Sequence, residues 1–418
     1  MWPPGPVQVR APATSANLGP GFDALGLALA LYDEVEARVT DGGLVIEVSG
    51  RGGGTEADGE QHLVVRAMRA AFGAMGAQPP GIALRCVNAI PHTGGLGSSA
   101  AAICSGLLAA RALAGPAGAR LPDEAVFRLA VALEGHPDNV AACLAGGLVI
   151  AWAPRPAPAG TRGPGAAWAG PGAGRDGAGA GPDGAGAGVP SGAGPGARLL
   201  KVPVPASLRA VACVPPVPLA TEAARQALPP AVPHADAAAN AARSALLIAA
   251  LTGAPEMLFD ATEDFLHQPY RAGVMPETAD LLGRLRQAGA AAVVSGAGPS
   301  VLVLSFDGQP PSPAAVDSIA RETGISWDVT PLEIDQQGAH VQQGRLDVHP
   351  PGSAWHRPSW DQVRGPGAGN VGRPPRDRPA SRTTHRPQVE GMSWARLVLS
   401  WLAHQSPRRG ERCSPFTC

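Results

Sequence analysis

The chain has 418 residues, long enough for two domains with a sizeable core, and its 33 Lys+Arg against 34 Asp+Glu exclude a chain-wide basic excess of the kind that marks nucleic-acid binders. The balance is uneven. Residues 1–335 hold 21 basic and 29 acidic side chains, residues 336–418 hold 12 and 5, and Lys201 is the single lysine. The six cysteines, Cys86, Cys104, Cys143, Cys213, Cys413 and Cys418, form no CxxC pair, so buried thiols and a reduced, cytoplasmic setting are expected. No basic stretch followed by an apolar core opens the chain, so no secretory signal is expected.

In chain order, VQVRAPAT and LVIEVSG read as strands, HLVVRAMRAAFGAMG as a helix with apolar residues at helical spacing, and IALRCVNAIP as a strand. Between Arg155 and Arg198, 34 of 44 residues are Gly, Ala or Pro, which predicts a disordered insertion because too little apolar area is available to offset ordering entropy. After it, LLKVPVP and LRAVACVPP predict strands of a second α+β domain, residues 199–335, and DAAANAARSALLIAALTG and MPETADLLGRLRQAG predict helices. The run at 287–306 is uncharged over 20 residues, but SGAGPS breaks it, so two strands around a glycine turn are expected and not a membrane span. PAAVDSIARETG predicts a helix and SWDVTPLEI the last strand. From Gln336 onward Pro, Arg, Gly and His dominate, which predicts a disordered tail to residue 418, with GMSWARLVLSWLAHQ at 391–405 as its one amphipathic stretch.

Four stretches carry chemistry. PHTGGLGSSAAA, 91–102, places glycines and serines before a helix expected to begin near Ser98 or Ser99. A helix start has unpaired N–H groups and partial positive charge, so it suits a phosphate, although a tight strand-to-helix turn would use the same glycines. No GxxxxGK[ST] is present, so any nucleotide here is neutralised by the helix end, Mg²⁺ and arginine. APATSANLGPGFDALGLAL, 11–29, is a Gly/Pro-punctuated loop with Asn17 and Asp23 ahead of an apolar run. EGHPDNVA gathers Glu134, His136, Asp138 and Asn139, and VVSGAGPSVLVL supplies a second glycine turn. Singly, each residue has a plain alternative: Asp23 as a turn former, His136 as a satisfied histidine, Glu134 as a solvated helix-end acid.

Together and in this order, the four stretches resemble the GHMP small-molecule kinases, and within them the enzymes whose acceptor is L-homoserine, over residues 7–154 and 199–335. The resemblance implies an α+β, two-domain GHMP kinase fold, the N-terminal domain (1–154) ribosomal protein S5 domain 2-like and the C-terminal one a ferredoxin-like α/β sandwich. It implies transfer of the ATP γ-phosphoryl to the hydroxyl of L-homoserine in threonine biosynthesis. Pro91, His92, Thr93, Gly94, Gly95, Leu96, Gly97, Ser98, Ser99, Ala100 and Ala101 would hold ATP, and Ser99 with Glu134 would hold Mg²⁺. Asn17, Asp23, His136, Asn139, Thr221, Arg225 and Arg271 would line the acceptor pocket, with Asn139, Arg225 and Arg271 at the reacting centre.

Where related kinases use an aspartate base, Asn139 stands here, and Asp138 is expected to face away, so catalysis without a dedicated base is favoured. His62 occupies a place near the adenine where the family more often has Asn. No nucleic acid or membrane partner is implied, and a homodimer is compatible with the family. The competing readings are a GHMP kinase for another small alcohol and a catalytically silent nucleotide-binding regulator.

Overall fold

Two long strands, β1 (Val7–Ala16) and β2 (Leu25–Thr40), pair antiparallel and form the spine of a seven-stranded sheet. The structure is a computed structural model that describes residues 2, 5–51, 59–152 and 196–342, all within the compact unit Met1–His349. The register between β1 and β2 shifts between Pro12 and Ala13, and β2 serves two further neighbours. Its Glu34–Thr40 half pairs with β4 (Gly81–Asn88), and Leu25–Leu27 pairs with β5 (Leu148–Trp152). On the far side of β4 lies the parallel β3 (Gly43–Gly50).

Helices α1 (Leu63–Met75), α2 (Ser98–Leu113), α3 (Asp123–Glu134) and α4 (Asp138–Ala145) belong with this sheet. Helix α1 buries the stripe Val64, Val65, Met68, Ala71, Phe72 and Met75 and stops at Gly76, which takes the left-handed backbone that ends helices. Helix α2 is alanine-rich and buried on nearly every side, as expected of a central helix. Truncating the fully buried Phe72 to Ala would cost about 3–5 kcal/mol.

The second sheet is antiparallel throughout, in the order β10 (Asp328–Glu333), β7 (Leu208–Val214), β9 (Val301–Phe306), β8 (Ala291–Val294). Its inner strands β7, β9 and β8 read as nearly continuous apolar runs because both faces are covered, whereas the edge strand β10 is largely exposed. Val211, Cys213, Val301 and Val303 pack with Leu281 and Leu285 of α9 (Pro276–Gln287) and Val316 of α10 (Pro313–Arg321). The alternate residues, Ala210, Ala212, Leu302 and Leu304, join the core of the first sheet. Helices α5 (Thr221–Gln226), α6 (His234–Thr252), α7 (Leu258–Ala261) and α8 (Gln268–Arg271) complete the described chain. The uncharged run at 287–306 is thus split between β8 and β9, and no described helix is long and apolar enough to cross a membrane.

Three sequence expectations are corrected. The stretch 11–29 is mostly strand, with β1 and β2 leaving only residues 17–24 as a loop. LLKVPVP does not join the second sheet: β6 (Arg198–Val202) pairs with β5 in the first, Trp152 opposite Arg198. The described chain therefore stops and resumes at one end of a strand pair. The fold also runs past Gln336, because β11 (His340–Gln342) pairs with Gln8–Arg10 of β1. Asp335 Oδ1 accepts the amides of Gln337 and Gly338 at 3.1 and 2.6 Å and sets the turn into that strand. A three-residue strand has too short a pattern to be read from sequence. The expected disorder of the insertion and tail, and the amphipathic stretch 391–405, lie outside the described residues.

Candidate active site

The glycine loop that leads into α2 is held at both ends by groups outside it. Asp33 Oδ1 accepts the amides of Ala89 and Ile90 at 2.8 and 2.9 Å and fixes the exit of β4. Burial raises the Asp33 pKa against those two bonds. Helix α2 begins at Ser98, as the sequence predicts, after Gly97 in a left-handed conformation. A Cβ on Gly97 would lie 1.9 Å from Thr14 Oγ1, and one on Gly95 would lie 2.4 Å from the Ser295 carbonyl, so only glycine fits at either place.

Ser295 Oγ donates to the Gly95 carbonyl at 2.7 Å and Ser300 Oγ to that of Gly94. Among the described residues, no protein group accepts a hydrogen bond from the amides of Gly94 to Ser99. Loop carbonyls are thus occupied by serines of the turn between β8 and β9, and loop amides stay available to an anion at the positive end of α2.

Beside this loop, Ser99 Oγ donates to Glu134 Oε1 at 2.6 Å. Gly135 ends α3 with a left-handed backbone, which leaves Glu134 at the last helical position and turns the chain sharply into α4. Burial raises the Glu134 pKa, opposed by the Ser99 bond and the charge of His136. Next to it, His136 Nδ1 lies 2.7 Å from Asp138 Oδ1, which also accepts the Asn139 amide at 2.8 Å. Burial works against a charged His136, but Asp138 and Glu134 outweigh it and raise its pKa. Asp138 does not face away as expected: it borders the cavity, because the corner at Gly135 and Pro137 turns the first residue of α4 inward. Thr14 Oγ1 donates to Asn139 Oδ1 at 2.8 Å, leaving the Asn139 NH₂ for the cavity.

At the other end, Asn17, Leu18, Asp23 and Thr93 are the four non-glycine residues with left-handed backbone among those described. All four sit in the loops around this cavity, where strained backbone marks a site held by its surroundings. Asn17 Nδ2 donates to Gly296 O at 2.7 Å, and its Oδ1 accepts the Asp23 amide at 2.9 Å. Arg225, at the end of α5, contacts both carboxylate oxygens of Asp23, at 2.9 and 3.3 Å. Burial alone would lower the Arg225 pKa, and Asp23 reverses that and raises it. Among the described residues Arg271 is the largest fully buried side chain and hydrogen-bonds only neutral groups: Ala224 O, Gly296 O and His267 Nδ1, at 3.1, 3.2 and 3.1 Å. Burial, and then Arg225, lower its pKa to about 10, so it is charged at neutral pH.

These groups surround a cavity of about 140 Å³ bordered by Thr93, Gly95, Gly97, Ser98 and Ser99 at the glycine loop. Asn17, Asp23, His136, Asn139, Thr221, Arg225 and Arg271 border it on the other. Leu96, Ala100 and Ala101 are buried in the core, so only their main chain can serve a ligand, and His92 points to Asn88 at 3.1 Å. The models for the N-terminal and C-terminal domains of GHMP kinases match residues 62–147 and 238–325. The homoserine kinase of Streptomyces coelicolor is 47% identical over 335 residues, 80% of this chain and 94% of that one.

The chain belongs to the homoserine kinase branch of the GHMP kinases. The homoserine kinase of Clavibacter michiganensis is 44% identical over 339 residues, covering 80% of this chain and 94% of that protein. The crystal structure of homoserine kinase from Cytophaga hutchinsonii superposes with a TM-score of 0.64 at 27% identity, covering 81% of this chain and 98% of that one.

In this GHMP kinase several supporting residues escaped the sequence reading. Thr14, Ser295 and Ser300 lie within or beside the signatures, but only tertiary contact reveals which carbonyl or amide each one holds. His267 precedes Arg271 by four residues, the one spacing that could have linked them on a helical turn. His62 stands before α1 with its Nδ1 buried and without a hydrogen-bond partner among the described residues, and burial and then His92 lower its pKa.

Proposed function

We propose that the chain transfers the γ-phosphoryl group of ATP to the side-chain hydroxyl of L-homoserine, giving O-phospho-L-homoserine for threonine biosynthesis. One observation carries the reading: a loop of free amides and two opposite charges, Asp23 and the buried Arg271, border the same small cavity. Such a pocket fits a polyphosphate on one side and a zwitterionic acceptor on the other. The loop amides from Gly94 to Ser99 bind the phosphates of ATP.

Arg271 and Arg225 orient the acceptor carboxylate, and Asp23 and Asn17 Oδ1 its ammonium group. Arg225 is already paired with Asp23, so an acceptor that brings both charges exchanges one ion pair for two without stranding either partner. His136 and Thr221 close the pocket, and the Asn139 NH₂ donates toward the reacting oxygens. An amide does not accept a proton, so the hydroxyl proton leaves to phosphate or water, and alignment with charge stabilisation supplies the rate.

The donors Ser99 Oγ and Glu134 Oε1 are hard oxygens adjacent at the phosphate loop, and they fit Mg²⁺, which takes one or two protein oxygens together with phosphate and water. Ser99 and Glu134 would hold the ion where it would neutralise charge on the triphosphate. The working environment is the cytoplasm and the partners are small molecules, with a homodimer as the assembly to test.

The experiment is a coupled ADP-release assay with L-homoserine, L-serine and mevalonate. It is run on the full chain and on one ending after Gln342, since a stop at Asp335 would remove β11. Turnover confined to homoserine is expected. Turnover with mevalonate instead would move the chain to another GHMP acceptor class, and nucleotide binding without any turnover would make it a silent regulator.

A further inference from the structure

Arg271 is buried and charged, yet among the described residues every group it hydrogen-bonds is neutral, so its direction is set by dipoles and not by a counter-ion. One of those groups differs from the others. Two of the three acceptors are main-chain carbonyls, and the third is the imidazole of His267, a ring with no exposed surface. Its Nε2 lies 2.9 Å from the carbonyl of Gly19, which can only accept, and its Nδ1 lies 3.1 Å from Arg271 Nη1, which can only donate.

These two neighbours admit a single protonation state: hydrogen on Nε2, lone pair on Nδ1. The surroundings agree. Burial, together with the Arg271 charge, lowers the His267 pKa, although Asp264 lies 3.7 Å from its Nε2 and Asp23 acts in the same upward direction. Asp264 is itself occupied, since its Oδ2 accepts the amides of His267 and Gln268 at 3.0 and 2.7 Å and fixes the start of α8. Phe22 stacks on the ring at 5.2 Å between centroids and also faces the Arg271 guanidinium.

Gly19 belongs to the strained loop that carries Asn17 and Asp23. One rigid ring therefore joins the loop proposed to read the acceptor ammonium group to the arginine proposed to read its carboxylate. We propose that His267, as a neutral imidazole bridging Gly19 O and Arg271 Nη1, is a positioning residue that sets the spacing between these two charge readers and so enforces selection for a zwitterionic acceptor. The inference rests on the acceptor reading above and adds to it a residue that does not border the cavity.

The geometry separates the two edges of the ring. An asparagine carbonyl at 267 reaches the place of Nδ1 and keeps an acceptor for Arg271, whereas a glutamine amide reaches the place of Nε2 and keeps the donor to Gly19 while losing that acceptor. The test compares the full-length protein with His267→Asn, His267→Gln and Arg271→Ala, using L-homoserine and its uncharged carboxamide as acceptors. MgATP affinity and thermal melting are measured alongside.

For His267→Gln we expect the KM for homoserine to rise about tenfold or more, the preference for homoserine over the carboxamide to fall by a similar factor, and the KM for ATP to stay within about twofold. His267→Asn should retain most of the preference. The inference is overturned if both variants keep the preference. It is equally overturned if acceptor KM, ATP KM and melting temperature all deteriorate together in both, since that pattern marks a purely structural residue. If Arg271→Ala itself leaves the preference unchanged, the carboxylate reading fails first and the two failures are told apart.

Discussion

The two ends of the cavity are built on different principles. The end proposed to hold phosphate is mostly one continuous stretch, Gly94 to Ser99, which presents main-chain amides through the local geometry of a loop entering α2. The end proposed to hold the acceptor is made of charged and polar side chains drawn from residues 17–23, 136–139, 221–225 and 271, far apart in sequence and held by second contacts such as Gly19 O, Ala224 O and Gly296 O. Amides are supplied by any sequence that adopts the right backbone, so the first end depends on glycine. Side-chain charges in a buried place depend on every neighbour that orients them.

That contrast can be broken or sharpened by five substitutions. The largest effect is expected from Glu134→Gln, which removes the carboxylate beside the phosphate loop. kcat should fall about 10²- to 10³-fold with the melting temperature little changed, and an unaltered Mg²⁺ dependence of the rate would remove Glu134 from the metal role. Arg271→Ala is next: kcat/KM for the acceptor should drop about 10²-fold while nucleotide affinity, measured by titration, holds. If nucleotide affinity falls as far, the two ends are not separate.

Gly97→Ala should weaken MgATP binding about tenfold or more and lower the melting temperature, because the added Cβ meets Thr14 and the backbone is left-handed. A wild-type affinity here would deny the loop its close approach. Ser295→Ala sharpens the contrast from the other side. The loop carbonyl of Gly95 loses its hydroxyl partner, so a few-fold loss of nucleotide affinity would show that the local end still leans on the second sheet.

The smallest effect is that of Asp33→Asn, which keeps an oxygen for the amides of Ala89 and Ile90. The Asp33 pKa is raised by burial, so the unfolded chain gives up this proton first and ionised Asp33 costs stability in the native state. The cost is absent below the ordinary aspartate value of about 3.8 and grows as pH rises toward the folded-state value. Denaturation across this range should therefore show the Asn variant gaining on the wild type with rising pH, by about 1 kcal/mol or less at neutrality. A gain on acidification instead would reverse the assigned direction.

Much of the fold was legible because its elements obey simple periods. Helix α1 shows its stripe, β8 and β9 show apolar runs around a glycine turn, and Ser98 opens α2 as expected. The failures have equally definite causes. The strand half of 11–29 was hidden by glycine and proline in the short loop at its middle, and β6 looked like a strand of the second domain because it follows the insertion in sequence. Asp138 was expected to face outward by analogy with a plain helix start, whereas the Gly135–Pro137 corner turns it in.

By itself the sequence determined where the backbone presents unpaired amides, since left-handed glycine and an unpaired helix start are properties of neighbouring residues. It also supplied the charges that an acceptor with two charges requires. Only the tertiary structure decided that Asp23, Arg225 and Arg271 converge, that a neutral His267 stands between Gly19 and Arg271, and that serines beyond β8 hold the carbonyls of the phosphate loop. The reason is physical: a side chain's direction in a buried site is set by contacts at long sequence separation, and no local period encodes them.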